Sequence, residues 1–297
     1  MRRVVLIVNP YSTGVTRRRV ADVTAALAPR TDLVVRQTEG PGHATQLAAE
    51  AAGQADALVI LSGDGTYNEA INGAAGLLPF GFLPGGGASV FPRALGLPRD
   101  PVVAAVRVAE ALEADRTISI GLGRVNGRRF CFSAGIGFDA EAVRRIDGRG
   151  RDREGRRAGN AMFAATVVRV LLESRFRMAP QLDVEGFGRA AFIFVANGRP
   201  YTYLGPVPVT IAGEADFAAG LDFVAPRELV PVSLPLLAMR GFRGKLANDP
   251  NVLTGHDLDG IEVRCDQPLP LQADGEDLGD VTGARFEAER NALEVLR

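Results

Sequence analysis

The chain has no tryptophan, one lysine, two cysteines and two histidines among its 297 residues. Each scarcity narrows the chemistry. With only His43 and His256, a histidine-centred triad or histidine-rich metal cluster is not expected, and His256 with Asp257 forms at most a local pair. Cys131 and Cys265 lie far apart in strand-like runs without metal-ligand spacing. They read as buried free thiols in a reducing cytosol. The single lysine, Lys245, lies far from the N-terminal glycine turns, and no Gly-x-x-x-x-Gly-Lys-Ser/Thr phosphate loop exists. No apolar run approaches the ~18 residues that span a bilayer. The run Val4–Val8 stops at Asn9-Pro10, shorter than a signal peptide requires. Neither charge sign dominates. At a net charge of −1 there is no global field of the kind that marks nucleic-acid binders.

What is present is an ordinary globular balance, 46% hydrophobic and 23% charged, long enough for one large or two ordinary domains. Val4–Val8 and Ala57–Leu61 are continuous apolar runs, as buried parallel strands require. Leu33–Arg36 and Phe80–Leu83 read as further strands. Helical spacing is expected over Arg17–Ala28, His43–Gly53, Tyr67–Ala75 and Pro101–Glu113, the last entered by Asp100 as N-cap. Alternating strands and helices predict a doubly wound parallel sheet.

Near residue 117 the pattern changes. Thr117–Ala134 alternates like antiparallel strands, with a hairpin turn at Asn126-Gly127. A helix over Asn160–Phe176 and short strands at Gln181–Val184, Ala190–Ala196, Leu221–Ala225, Gly260–Cys265 and Leu269–Ala273 follow. The fold class is therefore α/β: an N-terminal doubly wound parallel-sheet domain over 1–120, and a mainly antiparallel, β-sandwich-like domain over 121–297. The final segments, Ala284–Glu287 and Leu293–Leu296, either complete the second sheet or return to the first domain.

The most informative stretch is Leu58–Glu69, a strand, a glycine-bracketed turn carrying an acid, and a helix. Gly63 and Gly65 are expected to adopt backbone angles closed to other residues and to let a phosphate approach the main chain. The helix N-terminus offers free N–H groups, and Thr66 a hydroxyl. An acid at 64 beside a phosphate requires a cation between them, which makes Asp64 a candidate Mg²⁺ ligand. Gly135-Ile136-Gly137-Phe138-Asp139-Ala140 fits a dinucleotide fingerprint after a strand, but no βαβ unit is expected there.

At this loop the chain resembles the diacylglycerol kinase catalytic-domain family, which includes bacterial lipid kinases and sphingosine kinases. In order, Asn9–Gly14 resembles its first loop and Thr38–Ala44 its nucleotide segment. Ser62–Glu69 is similar to the Gly-Gly-Asp-Gly-Thr-x-Asn-Glu signature. Leu83–Leu95 resembles Pro-x-Gly-Thr-x-Asn-x-x-Ala-Arg, Ser133–Ala140 the Gly-x-Gly-Phe-Asp motif, and Leu271–Glu276 the late Asp-Gly-Glu motif. The Gly-Asp-Gly-Thr element alone is shared with NAD kinases and phosphofructokinases.

The resemblance implies an ATP- and Mg²⁺-dependent kinase acting on a hydroxyl of diacylglycerol or a related lipid. It implies ATP between two domains, with Asn9, Ser12, Gly14, Thr38, Gly63, Gly65, Thr66, Asn68, Glu69, Gly86 and Gly87 around the nucleotide. Glu276, or Asp64 with it, would deprotonate the acceptor, and both would meet the metal through Mg-ATP. It also implies a cytoplasmic protein in peripheral contact with the inner membrane face, and an exposed edge strand in the second domain would permit a homodimer.

The departures are local. Ala88 and Ser89 stand about where the family has Thr and Asn, so a nucleotide hydrogen bond worth about 0.5–1.5 kcal/mol is lost or passes to backbone N–H. Some members carry an accessory Mg²⁺ site of clustered acids; here Asp216–Asp222 keeps two acids, too few for it. Arg144–Arg157 reads as a solvated loop or as a lip for anionic head groups. Leu234–Lys245 reads as a core-facing or interfacial helix. Two alternatives stay open: a soluble-substrate kinase of the NAD kinase type, and a non-catalytic nucleotide- or lipid-binding regulator.

Overall fold

The computed structural model describes residues 1–87, 89–148, 160–175, 177–204, 207–231, 240, 246 and 249–297. Ala88, residues 149–157 of the arginine-rich segment, and nearly all of Leu234–Lys245 lie outside the described residues. The chain divides into two compact units, one of Met1–Ile120 with Asn291–Arg297 and one of Gly121–Arg290.

The first unit is built on parallel strands β1 (Arg2–Val8), β2 (Thr31–Gln37), β3 (Ala57–Ser62) and β4 (Phe80–Pro84). Their order is β4-β3-β1-β2, and β1 pairs in parallel with both β2 and β3. Strand runs buried on both faces need cover on both. Helices α1 (Arg17–Leu27) and α5 (Pro101–Glu113) cover one face. There Val23, Leu27, Ala105 and Val108 pack on Val4, Leu6, Val59 and Leu61. Helices α2 (His43–Ala52) and α3 (Asp64–Ala74) lie against β1 and β3. The expected helix at Tyr67 therefore begins three residues earlier, at Asp64. A short helix α4 (Val90–Ala94), too short for a periodic signal, follows β4.

Strand order reverses direction between β1 and β3, which creates a topological switch point. Ligands of such sheets bind outside the carboxyl ends of the strands at that point. The loops leaving β1, β3 and β4 all emerge there.

The second unit is mainly antiparallel. It contains β5 (Thr117–Val125, beginning in the first unit), β6 (Arg128–Phe130), β7 (Ser133–Ile136), β8 (Leu182–Val184), β9 (Gly188–Ala190), β10 (Ile193–Ala196), β13 (Leu221–Pro226), β14 (Val252–Leu258), β15 (Gly260–Ala273) and β16 (Glu276–Leu296). The main order is β14-β13-β10-β7-β15-β16. β11 (Thr202–Leu204) and β12 (Val207–Val209) form a separate two-stranded ribbon. Asn126 (φ 47°) and Gly127 (φ 88°) make the tight turn joining β5 to β6. Ala190–Ala196 is divided between β9 and β10, while the two segments expected in 260–273 are one continuous strand. β16 runs on into the first unit, where Val295 pairs with Phe80 of β4.

Helix α6 (Phe138–Asp147) stands where a loop was expected to begin, and α7 (Asn160–Glu173) packs on it. Arg144 and Arg145 are not a loose basic lip. Arg144 pairs with Asp277 and Asp280, and Arg145 with Glu141 and Glu173. The step from β7 through Gly137 (φ 96°) into α6 has the strand-to-helix form of the fingerprint, but β7 is flanked by antiparallel β10 and β15, so no βαβ unit exists. Both cysteines are free, but only Cys131 is buried; Cys265 is half-buried.

Candidate functional site

In the first unit the switch-point loops are tied to one another by short-range polar contacts. The Asn9 side-chain amide donates to Thr66 Oγ1 at 2.9 Å, joining the loop after β1 to α3. Ser12 Oγ lies 2.8 Å from Ser62 Oγ, so the serine in place of the family's first glycine has a partner across the switch point. Gly14 N–H donates to Gly85 O at 2.8 Å. The Tyr67 hydroxyl sits 2.7 Å from both Ser62 O and Leu83 O, where it clamps the ends of β3 and β4. Complete burial, with the Asp64 charge nearby, raises the pKa of this phenol well above its ordinary value.

Asp64 has a partner the sequence does not reveal. Its Oδ2 accepts from Val90 N–H and its Oδ1 from Phe91 N–H, each at 2.9 Å. The acid thus caps α4, while Gly85 of the glycine-rich segment is held by its own N–H donating to Ser62 O at 2.7 Å.

The expectation that Gly63 and Gly65 need special backbone angles fails. Gly63 has φ −109° and ψ 177°, ordinary extended backbone, and Gly65 lies in the first turn of α3. The reason for Gly63 is contact: a Cβ on Gly86 would fall 2.7 Å from Gly63 Cα. The two glycines interlock main chain to main chain. Gly87 differs, since a Cβ there would meet nothing within 4 Å.

Above these loops lies a cavity of about 160 Å³ lined by Gly14, Gly85, Gly86 and Gly87 together with Arg19, Arg93 and Arg99. Of the expected nucleotide residues, Gly14, Gly86 and Gly87 line it, while Asn9, Ser12, Gly63 and Thr66 hold its loops together. Three others do not line it. Thr38 is buried, with its N–H donating to Val8 O. Asn68 is 1% exposed. The Glu69 carboxylate accepts from Ala44 N–H at 3.2 Å and so caps α2. The arginines were missed. Arg93 and Arg99 flank the quoted motif's end, and Arg19 closes a run of three arginines that reads as surface charge.

In the second unit the Asp-Gly-Glu turn is rigidly made. Asp274 (φ 49°) and Gly275 (φ 79°) both occupy the left-handed region. The buried Asp274 carboxylate accepts from the N–H groups of Cys131, Phe132 and Ser133 at 2.6, 3.0 and 3.2 Å. Gln272 accepts from Gly275 N–H at 3.0 Å and donates to Asp139 Oδ2 at 2.8 Å. Burial raises the Asp139 pKa to about 6, against the lowering effect of the Gln272 and Ala140 hydrogen bonds. Glu276 projects from this turn and is ion-paired with Arg128.

The residues present suit an Mg²⁺ that arrives with a nucleotide, not one held in a protein cage. Among the described residues no three acids, histidines or cysteines converge on a point. Mg²⁺ bound to a nucleotide commonly takes one or two carboxylates, substrate phosphates and waters, and Asp64 beside the glycine loop supplies such a carboxylate. The two acids expected to be too few for an accessory site have partners of their own. Asp216 accepts from Ala218 N–H, and Asp222 accepts from Asp257 N–H while lying 2.9 Å from His256 Nδ1. Arg290 pairs with Asp257 and Asp259. His256 pairs with Asp222, not with its neighbour Asp257. The Asp222 hydrogen bond raises the His256 pKa.

A switch-point parallel sheet with glycine-rich loops, joined in sequence to an antiparallel unit, is the fold of the diacylglycerol kinases. A diacylglycerol kinase crystal structure from Bacillus anthracis str. Sterne superposes with a TM-score of 0.73 at 20% identity, covering 99% of this chain and 96% of that one. Residues 3–125 match the family model of the diacylglycerol kinase catalytic domain. It is 34% identical over 143 residues to the diacylglycerol kinase of Bacillus subtilis (strain 168). That alignment covers 46% of this chain and 46% of the relative, so the match spans about half the relative's length.

Proposed function

We propose that the chain is a lipid kinase that moves the γ-phosphoryl group of ATP to a hydroxyl of diacylglycerol or a related lipid. The observation that carries this reading is the glycine loop: in a segment matched to a diacylglycerol kinase catalytic domain, Gly85 is bonded to Ser62 and Gly14 at the switch point, Asp64 caps the helix that follows, and three arginines line the cavity beside it.

Phosphoryl transfer asks little covalent chemistry of a protein and much positioning. Backbone N–H groups of the glycine loop and the Thr66 hydroxyl would orient the phosphates. Mg²⁺, when bound with the nucleotide near Asp64, would neutralise phosphate charge. The Glu276 carboxylate would accept the proton of the attacking lipid hydroxyl as its oxygen bonds to phosphorus and the bond to ADP breaks. The rigidity of the 272–276 turn supports that role, since a base must be held in place. Among the described residues no helix is long and apolar enough to cross a membrane. The lipid would be met by peripheral contact at the inner face, in a cytoplasmic protein.

The test is transfer of γ-labelled phosphate to a total lipid extract, resolved by thin-layer separation, with NAD in a parallel reaction. Label should enter one lipid class, and Asp64→Asn and Glu276→Gln should each lower the rate at least about 100-fold. Labelling of NAD alone, or full activity in both variants, would refute the reading.

A further inference from the structure

In the second unit a buried acid stands behind the Asp-Gly-Glu turn. Asp139, in the first turn of α6, is 9% exposed, and Gln272, near the end of β15, is 1% exposed. Polar groups at that depth cost stability unless they are paired, and here the pairing runs in one direction. Gly275 N–H can only donate, so the Gln272 oxygen faces it, at 3.0 Å. The Gln272 amide nitrogen therefore faces Asp139 and donates to Oδ2 at 2.8 Å. The other carboxylate oxygen, Oδ1, accepts from Ala140 N–H at 2.9 Å. Both oxygens meet donors, a demand that an ionised carboxylate satisfies and an amide does not. Strand β7 leaves room for it, since a Cβ on Gly135 would fall 2.6 Å from Oδ1 and 2.7 Å from Oδ2. The residue after Gly275 is Glu276, whose carboxylate pairs with Arg128 of β6.

A left-handed residue such as Asp274 persists only where its surroundings hold it. On one side its own carboxylate does so, through the N–H groups of Cys131, Phe132 and Ser133. On the other side Gln272 holds Gly275, and Asp139 holds Gln272. We propose that Asp139 and Gln272 are positioning residues that fix the backbone of the 274–276 turn and so aim the Glu276 carboxylate at the acceptor hydroxyl. The aim rests on the kinase reading, in which Glu276 is the base. The relay itself rests on the hydrogen bonds. Neither side chain touches substrate; both act through the turn, and a base displaced by about 1 Å can lose about 100-fold in rate.

The experiment reverses the direction of the relay. Asp139→Asn alone sets a donor against a donor, and Gln272→Glu alone sets two carboxylates face to face. In the double variant the new amide donates to the new carboxylate, which accepts from Gly275 N–H as before, so every bond is remade. Steady-state phosphorylation of a total lipid extract by the full chain is measured beside hydrogen exchange at the Gly275 amide and thermal unfolding. Each folded single variant should lose about tenfold or more in kcat while the KM for ATP changes less than about twofold, and should exchange Gly275 faster. The double variant should recover most of both. If Gln272→Glu does not fold, Gln272→Met, which removes both bonds without adding charge, should show the same loss. In a wild type that labels lipid, unchanged kcat in the folded single variants, or a double variant no better than the worse single, would overturn the proposal and leave the kinase reading standing. A wild type that labels no lipid would refute the kinase reading. Gly275 exchange faster in the single variants and restored in the pair would then still support the relay, and unaltered exchange would overturn it.

Discussion

Asp64 carries two demands at once. It is the acid of the glycine-bracketed turn, and its two oxygens hold the N–H groups of Val90 and Phe91. Asp64→Asn exchanges one acceptor oxygen for a donor facing an N–H, which leaves a hydrogen bond unmade at a cost of roughly 1–3 kcal/mol. The expected outcome is faster hydrogen exchange at the Val90 and Phe91 amides with little change elsewhere. Unchanged protection at both would show that the acid does not cap α4. The spacing of Gly63, Asp64, Gly65 and Thr66 made a phosphate loop legible in the sequence. The target of Asp64, 26 residues onward, was not, because a side chain reaching a distant N–H leaves no periodic trace. The same holds for Gly63 against Gly86, which looked like a demand for unusual backbone angles and is a demand for close approach.

Among the elements, β1, β3 and β4 of the first unit were readable because burial on both faces leaves continuous apolar runs. Helix α6 was not. Its sequence carries Glu141, Arg144 and Arg145, which resemble a solvated loop until Asp277, Asp280 and Glu173 are brought beside them. Its charges nonetheless follow the helix dipole, with acids in the first turn and arginines in the last. Asp139, in that first turn, gives the element a pH signature. Its folded pKa is about 6, above an ordinary carboxylate near 3.9. The native state therefore holds the proton more tightly than the unfolded chain, and this contribution to stability falls as pH rises from about 4 to 6. Relative to Asp139→Asn, the wild type should lose roughly 2 kcal/mol between pH 4 and pH 7. Urea unfolding of both proteins across that range measures it. Parallel stability curves would mean that the carboxyl is not perturbed.

Across the whole molecule, the 21-residue β16 serves both units. The sequence showed two strand-like pieces at its end, because polar residues such as Asp277 and Asp280 on exposed stretches break the apolar pattern, and it left open where the last piece belonged. Leu293, Val295 and Leu296 are at most 1% exposed in the first unit. Each buried side chain of this kind contributes about 1.5–3 kcal/mol. A chain ending after Arg290 should lose several kcal/mol from the unit that carries the glycine loops, seen as a lower unfolding midpoint. An unaltered midpoint would show that the final strand is dispensable.

The central claim is that the loops leaving β1, β3 and β4 receive phosphate at the face of Gly87. ATP affinity and thermal midpoint measured side by side in Gly87→Ala test it most directly, because a methyl there meets no protein atom within 4 Å. The account predicts an unchanged midpoint with ATP bound about tenfold or more weakly. Undiminished ATP affinity in a protein of unchanged midpoint would contradict it.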